Sequence, residues 1–204
     1  MTFYLIRHTE TVGNAERRFN GWTESPYTER GIKMNEVLVN TLAAIHEKDP
    51  VSKIYASPIY RAKHIGEMLA ERTGIPLEIH EPLKEFNFGI FEGLTAEEAE
   101  AKDPEMWQRW MADYNHVPLK GGGCYDEYHQ ALGEWLSQLD LSSDERVMVV
   151  AHGGTVNSLL LHLLDLPMGV RWHFSVPTGG IAVIDAPEGF GILKGLYSPN
   201  YEEC

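Results

Sequence analysis

Three stretches of this 204-residue chain bring together side chains with the chemistry of an anion site. Arg7 and His8 follow the apolar run at 3–6, Ser57 and Arg61 follow the run at 53–56, and His152, Gly153 and Gly154 follow the run at 146–151. Two guanidinium groups offer planar forks that match the tetrahedral oxygens of a phosphoryl group. A histidine near neutrality serves either as a neutral nucleophile or as a charged donor. Glycines that open a helix add backbone N–H groups and the positive end of its dipole, which also favour an anion. Either histidine alone reads equally well as a buried structural residue. The set, each member at a strand end, points to phosphate.

The elements that must position this set alternate along the chain. Residues 3–6 read as a strand covered on both faces, and 28–46 as a helix with Ile32, Val37, Leu38, Leu42 and Ile45 at helical spacing, closed by Asp49 and Pro50. Residues 53–56 give a second strand. Ser57 and Pro58 then predict a helix entry with the hydroxyl as cap, placing Arg61 near its start. A third strand is expected at 75–79, two short helices broken at Pro104 within 94–115, a helix at 126–139, a buried strand at 146–154, an apolar helix at 156–164, and a terminal hairpin from 180–186 and 189–197. Strands alternating with helices predict an α/β fold, a three-layer α/β/α sandwich with a mostly parallel central sheet. Ligands in such sheets sit outside the carboxyl ends of the strands, where all three polar stretches fall. One domain over 1–204 is expected, with a helical cap insertion at about 94–125.

Composition narrows the partner. The formal net charge of −13 leaves no basic stripe to neutralise phosphates, which argues against nucleic acid and against an anionic membrane surface. The anion site must therefore be a local cationic pocket in an acidic protein. Cys124 and Cys204 are too few for a disulfide framework and are expected as free thiols. No basic-then-apolar leader opens the sequence and no apolar run approaches membrane length, so a cytoplasmic protein is expected. A symmetric homodimer is the default assembly.

With these residues in view, the chain resembles the histidine phosphatase superfamily, also described as phosphoglycerate mutase-like. The resemblance is carried by "RHTETVGNAERRFNGWTESPYTERG" at 7–31, "YASPIYRAKHIGEML" at 55–69, "EFNFGIFEG" at 85–93 and "VVAHGGTVNSLL" at 149–160, nearly the whole length. It implies a central sheet with flanking helices and a phosphate pocket that needs no metal and no cofactor. By position, His8 resembles the nucleophile that becomes phosphohistidine, with Arg7, Asn14, Arg61 and His152 on the phosphoryl oxygens. Glu85 resembles the general acid. Asn20 and Gly21 match a stretch near the substrate, and Gly153 adds a backbone donor. The implied reaction has neutral His8 attack phosphorus while protonated Glu85 gives a proton to the leaving oxygen; the Glu85 carboxylate then activates water. Arg7, Arg61 and a protonated His152 would neutralise the equatorial oxygens.

Two departures stand out. Thr9 occupies a position where the family commonly has glycine, which puts a side chain beside the nucleophile. The segment "KGGGCYDEYHQAL" at 120–132 lacks the family's later arginine, leaving a contact on the substrate side open. Trp107, Trp110, Tyr114, Trp22 and Phe86 are read as core residues first; any that face the pocket would suit an apolar leaving group, as in the α-ribazole phosphatase branch of cobalamin synthesis.

Other readings are weaker. His8, His152 and Glu85 could be drawn as two histidines and a carboxylate around iron, but Arg7 and Arg61 beside a divalent ion oppose it. A cysteine phosphatase built on Cys124 would carry an arginine six residues on, where the chain has Gln130. A cofactor-dependent phosphoglycerate mutase needs extra cations in the insertion, which offers only Lys102, Arg109 and Lys120, and the acidic tail "YSPNYEEC" would repel an anion there. A non-catalytic phosphate-binding protein would not require Glu85. The expectation is thus a metal-independent phosphomonoesterase for a small phosphorylated metabolite.

Overall fold

The computed structural model describes residues 1–204. Its centre is a six-stranded sheet built from β1 (Thr2–Arg7), β2 (Lys53–Ala56), β3 (Leu77–Ile79), β4 (Arg146–Ala151), β5 (Ile181–Asp185) and β6 (Ile192–Tyr197). The order is β3-β2-β4-β1-β5-β6. The first four of these strands run parallel, and β5 and β6 add the antiparallel edge as a hairpin. The expected mixed sheet with its terminal hairpin is therefore present.

Side chains alternate across the strands, so each face takes every second residue. Phe3, Leu5, Val147 and Val149 pack under α6 (Tyr125–Leu136) and α7 (Gly153–Leu163). Tyr4, Ile6, Met148 and Val150 pack under α2 (Glu29–Lys48) and α3 (Tyr60–Thr73). These are the two outer layers. Central β4 is apolar at Val147 through Ala151 because both of its faces are covered.

Local chemistry sets the element ends. Thr28 caps α2 by accepting from the Gly31 N–H at 2.9 Å, and Asp49 before Pro50 ends it. Ile32, read as a core residue, is instead exposed, because Met34, Leu38 and Leu42 form the buried stripe. α3 begins at Tyr60 after an Ile59 cap that has no side-chain bond, so Ser57 is not the predicted cap. β3 starts at Leu77, two residues later than expected; Pro76 has no N–H to give a ladder and its carbonyl instead accepts from Ile54. α7 opens at Gly153, so the two glycines form its first turn rather than the end of a strand.

After the four-residue helix α1 (Val12–Ala15), the chain carries its other departure from the sheet at α4 (Ala96–Lys102) and α5 (Pro104–Ala112). Thr95 and Glu98 form a capping box on α4, and Asp103 caps α5 with Pro104 at its first position. Both helices fold over a separate small core of Phe86, Phe91, Ala99, Trp110, Leu119 and Tyr125.

Candidate functional site

The β1–β4 register pairs Arg7 with Ala151, which sets His8 and His152 side by side where the two strands end. Their rings lie 5.3 Å apart, edge to face. Pairing of Ala56 with Val150 brings Ser57 to the same rim, and the first turn of α3 sends Arg61 across it. Strand order thus assembles the cluster from residues far apart in sequence.

His8 is fixed as one tautomer. Its Nδ1 lies 2.7 Å from the Thr9 carbonyl and so carries the hydrogen, leaving Nε2 as a lone pair that accepts from Arg61 Nε at 3.3 Å. Burial first, then the Arg61 and Arg7 charges, push its pKa well below the ordinary histidine range. The imidazole is neutral, as a nucleophile must be. Thr9 does not crowd it: the Thr9 hydroxyl turns into α2, 2.5 Å from Asn35 Oδ1.

Arg61 is 1% exposed; besides its bond to His8 it donates to the carbonyls of Asn20, Gly21 and Thr23 at 2.9, 2.6 and 3.0 Å. Gly21 serves that cradle. A Cβ there would fall 2.0 Å from the Phe86 carbonyl, and the residue sits behind the rim rather than on the cavity. Arg7 donates through Nη1 to the Val176 carbonyl at 2.9 Å, and its guanidinium passes close over Gly153, where a Cβ would lie in tight contact, 3.2 Å from Arg7 Cζ.

His152 corrects one expectation. Burial, with Arg61, His8 and Arg7 nearby, drives its pKa well below the ordinary range, so it is neutral rather than protonated in this pocket. Ser57 Oγ lies 2.7 Å from His152 Nε2 and also accepts from the Ile59 N–H, which fixes the ring against the end of β2.

Above this floor lies a cavity of about 410 Å³. Arg7, His8, Asn14, Asn20, Glu85 and Gly153 line it, while Arg61 and His152 lie buried directly beneath. Asn14 spends its Oδ1 on the cap of α1, accepting from Thr11, which leaves its NH2 for the cavity. Four buried polar atoms without a partner belong to residues that line this space, Arg7 Nε, Asn20 Nδ2, Asn157 Oδ1 and Arg171 Nε, and a fifth, His152 Nδ1, belongs to the buried ring packed against His8. The other two in the protein are Trp110 Nε1 and Asp126 Oδ1. Buried polar groups in native proteins are nearly always paired, so three unpaired N–H donors on residues that line one cavity mark a place for a ligand rich in acceptors.

Glu85 enters from the segment before the cap. Its Oε1 accepts from the Phe86 N–H at 2.8 Å, and its Oε2 from the Gly154 N–H at 2.8 Å in the first turn of α7. The Tyr128 hydroxyl stands 3.1 Å from Oε1 and 2.8 Å from Thr155 Oγ1. Gly154 thus gives its N–H to Glu85, while Gly153 lines the cavity beside it.

The opposite end of the cavity was invisible in the sequence. Arg171, on a 3₁₀ turn (Met168–His173), is 4% exposed and lies 4.3, 4.2 and 4.9 Å from the ring centres of Tyr114, Tyr125 and Trp172. It bonds Asn115 Oδ1 and makes no ion pair with a carboxylate. Segment 120–132 brings no arginine to the cavity, and Arg171 reaches it from another segment, whose position no periodicity marks. Of the aromatics, Trp110 is core, while Tyr114 and Phe86 line the cavity with Phe19, Phe88 and Phe174. Trp22 is half exposed and gives its indole N–H to the Glu85 carbonyl. The acidic tail stays off the cavity; its Tyr201 hydroxyl bonds the Gly179 carbonyl.

Comparison with known proteins follows the same outline. Residues 3–198 match the family described as the histidine phosphatase superfamily (branch 1). An adenosylcobalamin/alpha-ribazole phosphatase of Salmonella typhimurium is 32% identical over 97% of this chain and 96% of its own. A metal-independent phosphoserine phosphatase of Arabidopsis thaliana is 33% identical over 78% of this chain and 67% of its own. The crystal structure of the alpha-ribazole phosphatase from Shigella flexneri superposes with a TM-score of 0.88 at 26% identity, covering 98% of this chain and 97% of that one.

Proposed function

The chain belongs to the histidine phosphatase superfamily, and from that premise we propose that it is a metal-independent phosphomonoesterase that turns over a small phosphorylated metabolite through a phosphohistidine at His8. The observation that carries this reading is the pair of unpaired donors, Arg7 Nε and Asn20 Nδ2, on the same cavity as a neutral histidine, His8, whose Nε2 carries no hydrogen. A phosphoryl group supplies the acceptors they lack.

Each step then has an owner. Arg7, Asn14, Asn20, Arg61 and His152 bind the non-bridging oxygens and disperse the charge that builds in the transition state. His8 Nε2 attacks phosphorus as the bond to the leaving oxygen breaks, and Glu85 delivers the proton that oxygen needs. Water next attacks the phosphohistidine, Glu85 takes its proton back, and inorganic phosphate departs. A neutral His152 adds no charge, so the pocket's positive charge comes from the two guanidinium groups.

The aromatic end of the cavity suits a flat, weakly polar leaving group, and α-ribazole 5′-phosphate is the first natural ester to test; the relatives named for it span nearly the whole chain. The 1–204 unit acts as one domain with 94–125 as its cap, in the cytoplasm, where Cys124 and Cys204 remain thiols.

Hydrolysis of p-nitrophenyl phosphate and of a panel of α-ribazole 5′-phosphate, O-phospho-L-serine and 3-phosphoglycerate, each in EDTA, tests the reading. Wild type turns over and prefers the α-ribazole ester, and His8→Ala does not turn over. Activity that disappears on chelation would overturn it.

A further inference from the structure

Behind Glu85, on the side away from the phosphoryl floor, runs a short line of hydroxyls that the reaction above does not use. From the Lys84 carbonyl to Glu85 Oε1 there are three gaps of hydrogen-bond length: Lys84 O to Thr155 Oγ1 at 3.1 Å, Thr155 Oγ1 to Tyr128 Oη at 2.8 Å, and Tyr128 Oη to Glu85 Oε1 at 3.1 Å. The Leu83 carbonyl, at 3.5 Å from Thr155, is the more distant alternative at the far end. Thr155 is fully buried, and the Tyr128 hydroxyl is buried although its ring is partly exposed. Burial and the neighbouring Glu85 push the tyrosine far above the ordinary phenol range, so its hydrogen is retained.

Two hydroxyls bring two hydrogens to three gaps. The third hydrogen has one source within the line, the Glu85 carboxyl.

We infer that Tyr128 and Thr155 are positioning residues that hold Glu85 in its proton-donating form and then reverse to hold it as a carboxylate. This rests on the reading of Glu85 as the proton donor. In the first state Glu85 donates to Tyr128, Tyr128 to Thr155, and Thr155 to the Lys84 carbonyl, so every gap is closed. In the second state Thr155 donates to Tyr128 and Tyr128 donates to the Glu85 carboxylate, while the Lys84 gap opens. Between them one proton moves: the carboxyl O–H swings from Tyr128 into the cavity, that bond breaks, an O–H bond forms on the leaving oxygen, and the leaving oxygen keeps the electron pair of the broken P–O bond. The Phe86 and Gly154 N–H groups hold the two carboxyl oxygens throughout, so the side chain keeps its place while the hydroxyls turn.

Other groups also face this carboxyl: Arg7 and Arg61 from the floor, and Tyr114 and Tyr125 from the cap side. A change at Thr155 leaves all of them in place. Thr155→Val removes the hydroxyl at nearly constant volume, after which the Tyr128 hydrogen has Glu85 as its one acceptor and favours the carboxylate. Thr155→Ser keeps the hydroxyl and removes only the methyl group.

The test is the titration of the Glu85 carboxyl carbon by ¹³C NMR in the full-length enzyme without substrate, assigned with Glu85→Gln, beside the pH profile of kcat. T155V moves the Glu85 titration and the alkaline limb of kcat to lower pH by about half to one unit, the worth of one hydrogen bond. T155S restores both; T155A repeats the T155V shift if the valine does not fold. A Glu85 titration that stays in place or rises in T155V, or a T155S variant that behaves like T155V, would overturn the inference. A wild type without turnover whose Glu85 titration still shifts in T155V would overturn the proposed function and leave the hydroxyl line standing.

Discussion

The two ends of the cavity are built on different principles. At the phosphoryl end, His8, Arg61 and His152 are buried, and backbone carbonyls or a buried hydroxyl fix each of them. At the other end, Arg171 rests on aromatic faces, and Trp172 beside it is 70% exposed. The first end hangs from the central strands, whose register leaves little freedom; the second hangs from a 3₁₀ turn and the cap. The contrast teaches that the buried histidines and arginines are placed by sheet topology, while the far end of the cavity is built by segments outside the sheet.

Substitutions should separate the two ends, beginning with the nucleophile. His8→Ala lowers kcat for every ester by at least about four orders of magnitude, because no other group replaces the nitrogen; steady-state assays across the panel measure this. Equal losses on all substrates support the division, and a loss confined to bulky esters breaks it. Glu85→Gln follows, with kcat down by about 10²–10⁴. The loss is smaller for p-nitrophenyl phosphate, whose leaving group needs little proton assistance, and larger for alkyl esters. At the far end, Arg171→Met raises KM for α-ribazole 5′-phosphate by about tenfold, in keeping with one lost hydrogen bond from a charged donor, and leaves kcat for p-nitrophenyl phosphate within about threefold.

Stability distinguishes the ends as well. His8 and His152 both have folded pKa values depressed below the ordinary 6.5 by burial and by neighbouring cations. From 6.5 down toward those folded values the unfolded chain binds protons that the folded chain refuses, so stability falls as pH falls through that window. Each histidine contributes a slope of at most about 1.4 kcal/mol per pH unit. Urea titrations between pH 7 and 5 should show the decline, and His8→Gln should make it shallower. Trp110→Ala, under the distal end, costs about 3–5 kcal/mol with no such pH slope.

The same contrast explains what could be read in the chain. Arg7, His8, Arg61 and His152 were legible because each follows an apolar strand, and parallel strands must deliver their ends to one edge. Glu85, Asn14 and Asn20 were found through resemblance alone, since no strand end marks them. Gly21 was read as lying near the substrate; it is pressed against the Phe86 carbonyl while its own carbonyl accepts from Arg61, a constraint visible only in three dimensions. Arg171 escaped because its cage joins residues from the cap, from α6 and from its own turn, and no local pattern joins them. Ser57 was given a capping role by local propensity, but the neighbouring strand offered it a buried imidazole instead.

The central claim is that a neutral His8 takes the phosphoryl group. Rapid acid quench of wild type with p-nitrophenyl phosphate in EDTA, followed by neutral-pH peptide mass spectrometry, reads that claim directly. The account predicts a transient phosphoryl group on the imidazole of His8, formed no more slowly than turnover and absent from His8→Ala. A phosphoryl group on another residue, or turnover in His8→Ala, would contradict it.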